Sequence, residues 1–217
     1  MDLITKFSDI YEENLWASNE SRSGPGSEAH MTLSLRQLLP EVIAKYQIKK
    51  MLDIPCGDYS WMKEVIDKSN VEYMGVDIVD SLINDLKHFY GRPNINFCVG
   101  DMRNMVLPQV DLVVSRDILF HLSYQDISKY LDNFLKSKSK YLLTTSYHSS
   151  FKFKNINIVS GDFRLLNLFE EPFNFPSVYL EEFAEPPQDF NPSRSVIMWD
   201  AATLQDPIQN LVRRYAD

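Results

Sequence analysis

A chain of 217 residues, 44% hydrophobic and 24% charged, can bury a sizeable core, and one domain is expected. Its formal net charge of −8 opposes nucleic acid, whose nonspecific affinity draws on clustered Lys and Arg, so a small molecule or glycan is the expected partner. No apolar stretch reaches membrane-spanning length, and MDLITKFSDIYEEN lacks a basic region followed by an apolar run, so neither membrane insertion nor secretion is expected.

Residues 1–16 predict an amphipathic helix through Ile4, Phe7, Tyr11 and Leu15. Ser21-Arg22-Ser23-Gly24-Pro25-Gly26-Ser27 is too rich in turn formers for helix or strand, and reads as a loop or lid. From residue 50 onward, short apolar runs alternate with amphipathic stretches, the pattern of a parallel sheet covered by helices. The runs are Met51–Ile54, Val71–Asp77, Ile95–Asp101, Asp111–Ser115 and Tyr141–Thr145. After the second, Asp80 is expected to cap a helix through Leu82, Ile83, Leu86 and Phe89 that Gly91 stops. After the fourth, Ser123 with Asp126 resembles a capping box ahead of Ile127, Tyr130, Leu131, Phe134 and Leu135. The basic cluster Lys136-Ser137-Lys138-Ser139-Lys140 sits at that helix's expected end, where cations complement the dipole. Beyond Ser146 the chain is aromatic and proline-rich; Phe173-Asn174-Phe175-Pro176 and Pro186-Pro187 interrupt two strand-like runs, Ser177–Phe183 and Ser195–Trp199. With little room for crossover helices, these predict an antiparallel hairpin at the sheet's edge. The only cysteines, Cys56 and Cys98, fall in or beside predicted buried strands, which points to reduced thiols and a cytoplasmic location.

Asp53, Asp77 and Asp101 each belong to the end of one of the first three runs, at equal intervals. Ligands of open parallel sheets sit beyond such carboxyl ends, and a carboxylate after the second strand suits the two hydroxyls of an adenosine ribose. Asp also ends strands simply because it favours turns. The first turn, DIPCGDYSW, offers only Gly57 and places Asp58 beside it. A pyrophosphate cradle needs more glycines and no adjacent carboxylate. A ligand without phosphate and with a positive centre, such as S-adenosylmethionine, fits better.

DIPCGD, YMGVDI, FCVGDMRN and DLVVSRDILFHLS, in this order over residues 48–147, resemble the successive motifs of class I S-adenosylmethionine-dependent methyltransferases, including small bacterial members. The resemblance implies a Rossmann-like α/β fold, a mostly parallel seven-stranded sheet with an antiparallel C-terminal hairpin. It divides the single domain into residues 1–47 with the N-terminal helices and lid loop, 48–147 with the cofactor core, and 148–217 with the substrate side. By resemblance, Asp53 and Gly57 face the methionine portion, with Pro55, Asp58 and Trp61 in the same turn. Asp77 and the adjoining Ile78 serve the ribose, Asp101 and Met102 the adenine, while Arg116 and Asp117 border the reacting methyl. Pro55, Cys56 and Tyr59 stand where the family commonly carries glycine.

Methyl transfer to an acceptor hydroxyl or protonated amine calls for a positioned base. His121, four residues beyond Asp117, is the first candidate and His148 the second, with Asp117 a further catalytic candidate; either histidine could instead satisfy a backbone carbonyl. Arg116 either orients an anionic substrate or pairs with Asp117. Arg22 either folds over the cofactor carboxylate, with Trp16 closing one side, or belongs to a plain connector. Phe151, Phe153, Phe163, Phe169, Phe173 and Phe175 are expected to supply both acceptor-pocket roof and core. No metal is expected, for neither HExxH nor paired CxxC occurs. The expected activity is O-methylation of a small molecule or glycan precursor. The alternatives are protein or N-methylation, an NAD-dependent oxidoreductase, and a noncatalytic S-adenosylmethionine-binding protein.

Overall fold

The computed structural model describes residues 2–148, 154–186 and 193–215; Phe151, Phe153 and Pro187 lie outside them. The chain divides into two compact units, residues 1–101 and 102–217.

The first unit carries α1 (Leu3–Glu12), α2 (Leu33–Lys45), β1 (Lys50–Asp53), α3 (Met62–Asp67), β2 (Glu72–Asp77), α4 (Asp80–Tyr90) and β3 (Ile95–Val99). Its strands are parallel, with Met51 opposite Tyr73 and Tyr73 opposite Ile95. β1 and most of β2 are buried along their length, as strands covered on both faces are. α1 stops short of residue 16 and buries Phe7 and Ile10, whereas Ile4 and Leu15 are exposed. α4 buries Leu82, Ile83 and Leu86, but Phe89 is 69% exposed, so its apolar stripe ends before the helix does. Asp80 is the first helical residue rather than the cap. Val79 occupies the cap position, and its N–H donates to Asp77 Oδ1 at 3.1 Å. Gly91 does end α4: a Cβ there would lie 2.5 Å from the Lys87 carbonyl oxygen.

The second unit carries β4 (Leu112–Ser115), α5 (Tyr124–Ser137), β5 (Tyr141–His148), β6 (Glu181–Ala184), β7 (Ser193–Asp200) and α6 (Ala201–Tyr215). β4 and β5 are parallel, and β7 runs antiparallel to both β5 and β6. The strand order is β3-β2-β1-β4-β5-β7-β6 in a seven-stranded sheet, mostly parallel with the C-terminal hairpin reversed. Ser123 caps α5 by accepting from the Asp126 N–H at 3.1 Å. The Asp126 carboxylate does not complete a capping box; it engages Arg103 Nη1 at 3.2 Å and the Ser160 hydroxyl. Ile127, Tyr130, Leu131 and Phe134 are buried. Lys136 and Lys140 pair with Asp132 and Asp111, each at 2.6 Å, so the basic cluster is a helix end with local partners. The run from Ser177 becomes strand only at Glu181. α6 is an element the sequence reading missed, burying Leu204, Ile208 and Leu211 although Pro207 lies inside it.

Candidate active site

β1 delivers Asp53 to a buried position, where the Tyr73 hydroxyl donates to its Oδ2 at 2.8 Å. The following turn is stitched to the end of β2. Cys56 N–H donates to the Val76 carbonyl at 2.8 Å, and Gly57 N–H to Asp77 Oδ2 at 3.1 Å. Gly57 has φ +54°, and a Cβ on it would meet Ser23 Oγ at 2.4 Å; close approach and left-handed backbone both demand glycine here. Pro55 is half-buried, and Trp61 is buried where α3 begins.

The loop before α2 clamps this turn through serines. Ser21 donates to Asp58 Oδ2 at 2.7 Å, and Asp58 N–H donates to Ser23 Oγ at 2.8 Å. Arg22 is turned to α1: Nη1 donates to the Glu12 carbonyl at 2.9 Å and the Tyr11 carbonyl at 3.3 Å, with the guanidinium 5.8 Å from the Tyr11 ring centroid. It thus serves carbonyls at a helix end. Trp16 packs against Gly24 and edge-on to Phe7.

Asp77 is 7% exposed. Burial pushes its pKa up against the pull of the Val79, Gly57 and Ile78 N–H groups, and Asp58 pushes it further. Burial, with Asp77 and Asp53, likewise pushes the Cys56 thiol well up. The field of this turn is therefore negative, which suits a cationic ligand and repels phosphate. A carboxylate has about four lone-pair sites; with three backbone N–H groups directed at it, Asp77 keeps capacity for a ribose hydroxyl. These residues fit S-adenosylmethionine. Half-buried Ile78 adjoins Asp77. Asp101, also half-buried, lies two positions beyond Val99, which is the register partner of Asp77. Met102 opens the second unit, buried, with its carbonyl accepting from Asn133 Nδ2 at 3.0 Å.

In the second unit, Arg116 and Asp117 follow β4 and enter a four-residue ionic cluster. Arg116 Nη2 reaches Glu185 Oε1 at 2.6 Å, and Arg116 Nη1 reaches Asp117 Oδ2 at 3.1 Å. Arg194 of β7 contacts the same Asp117 oxygen at 3.3 Å and pairs with Glu185 through Nε. The Thr145 hydroxyl donates to Asp117 Oδ1 at 2.8 Å and accepts from Asp117 N–H at 2.9 Å. Burial works to raise the Asp117 pKa, but Arg116, Arg194 and Thr145 outweigh it and hold the carboxyl below its ordinary value. Asp117 also sits at φ +57°, uncommon for a residue with a side chain. The expected Arg116–Asp117 pair is present; Glu185 and Arg194 are partners that sequence reasoning missed, far away along the chain.

His121 ends a short 3₁₀ turn, Leu119–His121. Its Nδ1 lies 2.9 Å from the Asp162 carbonyl oxygen. A carbonyl only accepts, so Nδ1 carries the proton and the lone pair of neutral imidazole sits on Nε2. The ring lies against Phe120 and Phe163, with centroids 4.7 and 5.7 Å away. His148, at the end of β5, stacks on Phe169 at 5.1 Å, and its Nε2 is 3.7 Å from Glu182. Burial lowers its pKa against the opposing pull of Glu182. Phe173 and Phe175 are core, packed on Tyr124 and Trp199, while Phe163 is exposed. Among the described residues no cluster of His, Cys, Asp and Glu could hold a metal ion, and no helix is long and apolar enough to cross a membrane.

Residues 51–138 match the family model described as a methyltransferase domain. No curated protein sequence matches the chain. Similar solved structures include the N-methyltransferase NodS from Bradyrhizobium japonicum in complex with S-adenosylhomocysteine, at 13% identity, with 88% of this chain and 98% of that one covered and a TM-score of 0.62. The 1,6-didemethyltoxoflavin-N1-methyltransferase of Burkholderia thailandensis gives 14%, 91%, 86% and 0.65 on the same measures. Magnesium protoporphyrin IX methyltransferase from Synechocystis gives 10%, 91%, 98% and 0.60. At these identities the structures establish the fold, a class I methyltransferase fold, and residues 51–138, from β1 to α5, match a methyltransferase domain.

Proposed function

We propose that residues 1–217 act as one cytoplasmic methyltransferase domain that methylates an oxygen of a small molecule or glycan precursor, with His121 as general base. The observation that carries this reading is the His121 Nδ1 contact with the Asp162 carbonyl, which assigns the lone pair to Nε2. Bound S-adenosylmethionine supplies a methyl group already activated on a sulfonium. Asp77 and the Gly57 turn hold its ribose and methionine portions, and Asp101 and Met102 the adenine. His121 Nε2 takes the acceptor's hydroxyl proton as its oxygen forms the new bond. The exposed Phe163, edge-on to the buried Phe120, offers an aromatic face that suits a sugar or a flat acceptor. Asp117, engaged by two guanidiniums and a hydroxyl, orders the chain after β4 rather than moving the proton. His148 is the reserve base, and the free cysteines Cys56 and Cys98 fit a reducing compartment.

Incubation with fractionated small metabolites, read by mass spectrometry for a gain of one methyl, identifies the acceptor. His121→Ala should then lower the single-turnover rate by about 10²-fold while leaving S-adenosylhomocysteine affinity and melting temperature nearly unchanged. A stable variant with the wild-type rate rejects His121 as the base, and a methylated amine product rejects the oxygen assignment.

A further inference from the structure

The first unit holds a concavity of about 320 Å³, lined by Tyr59, Lys63, Asp67, Phe89, Tyr90, Gly91, Arg92 and Ile95. Tyr59 comes from the carboxylate turn itself, while the other lining residues lie away from it. Ile95 is the register partner of Tyr73, four residues before the Asp77–Val99 pair, a separation of about 13 Å along the strands at about 3.3 Å per residue. The volume is at the lower end of small-molecule sites.

Its walls and rim have distinct chemistries. Tyr59 stacks edge-on to Tyr90 at 5.5 Å, and Phe89 beside them is 69% exposed. Lys63 Nζ and Arg92 Nη2 share one carboxylate, that of Asp67, at 3.0 and 2.9 Å. Two cations on one anion leave the rim a net positive charge. Tyr59 is 1% exposed, and its hydroxyl has no hydrogen-bond partner among the described residues, which is uncommon for a buried polar atom. After burial, the groups acting most strongly on that phenol are Asp67, which raises its pKa, and Arg92, which lowers it.

We propose that this concavity binds a small aromatic carboxylate, its ring against Tyr59, Phe89 and Tyr90, its anionic group on Lys63 and Arg92, and a polar atom meeting the Tyr59 hydroxyl. Its cations, Lys63 and Arg92, belong to none of the residues assigned to the cofactor.

The probe is benzoate, with neutral benzyl alcohol as control, titrated into the full chain while backbone amide NMR signals are followed. Benzoate should move the signals of residues 59–63 and 90–95 and leave Val79 in place. Arg92→Ala should weaken benzoate about tenfold, the loss of one charge-assisted contact, and leave S-adenosylhomocysteine affinity unchanged. Tyr59→Phe should weaken it without lowering the melting temperature, since only an unpartnered hydroxyl is removed. Benzyl alcohol binding as tightly as benzoate, shifts gathered at Val79, indifference to Arg92→Ala, or no shift at millimolar benzoate would each overturn the proposal.

Discussion

Asp77 ends a strand of the first unit, Asp117 follows a strand of the second, and the two have opposite electrostatic fates. Asp77 is held by neutral N–H donors, and burial raises its pKa. Asp117 is held by Arg116 and Arg194, which drive its pKa down despite burial. The difference lies in the partners, since backbone donors soften the desolvation of a carboxylate whereas guanidiniums reverse its effect. Asp77 is left with acceptor capacity for a ligand. Asp117 belongs to a balanced cluster in which two cations and two carboxylates answer one another.

The largest expected effect is on that cluster. Arg194→Ala removes a buried cation from Asp117 and Glu185 together, and should cost roughly 3–5 kcal/mol of folding stability, the range for an orphaned buried charge. Urea denaturation measures it, and a loss near zero would show that the cluster contributes nothing net. Next in size, Asp77→Ala should weaken S-adenosylhomocysteine binding by about 1–3 kcal/mol in calorimetry, the range for buried hydrogen bonds left unmade. Unchanged affinity in a folded variant would remove Asp77 from the ribose.

The smallest effect, and the sharpest test of the comparison, is the order of titration. Carboxyl-carbon NMR should find Asp77 protonating above the reference value of 3.8 and Asp117 below it. By linkage, the Asp117 pairs stabilise the fold above 3.8 and lose that contribution as pH falls through the depressed value. The Asp77 charge opposes folding above its raised value, and that penalty is relieved as pH falls through it. The reverse order of titration would undo the contrast.

What was legible in the sequence was local. The five parallel strands announced themselves as short apolar runs, and Asp53, Gly57 and Asp77 as strand-end chemistry within a few residues of each run. Contacts made across long stretches of chain left no such pattern. Ser21 reaches Asp58 over 37 residues, and Arg116 reaches Glu185 over 69. Arg22 drew attention as the loop's one charge, yet the loop's grip on the turn comes from its serines. α6 was missed although Leu204, Ile208 and Leu211 recur at helical spacing, because Pro207 interrupts the run. The exposure of Phe89 was equally invisible, since it fits the α4 stripe in sequence and leaves it only in space.

The central claim is that the turn between β1 and α3 is a carboxylate site for a cationic, phosphate-free cofactor. Calorimetric titration of the wild-type chain with S-adenosylhomocysteine and with NAD, paired with melting temperatures in each ligand, tests it most directly. The account predicts that S-adenosylhomocysteine binds and raises the melting temperature while NAD does neither; NAD binding without S-adenosylhomocysteine binding would contradict it.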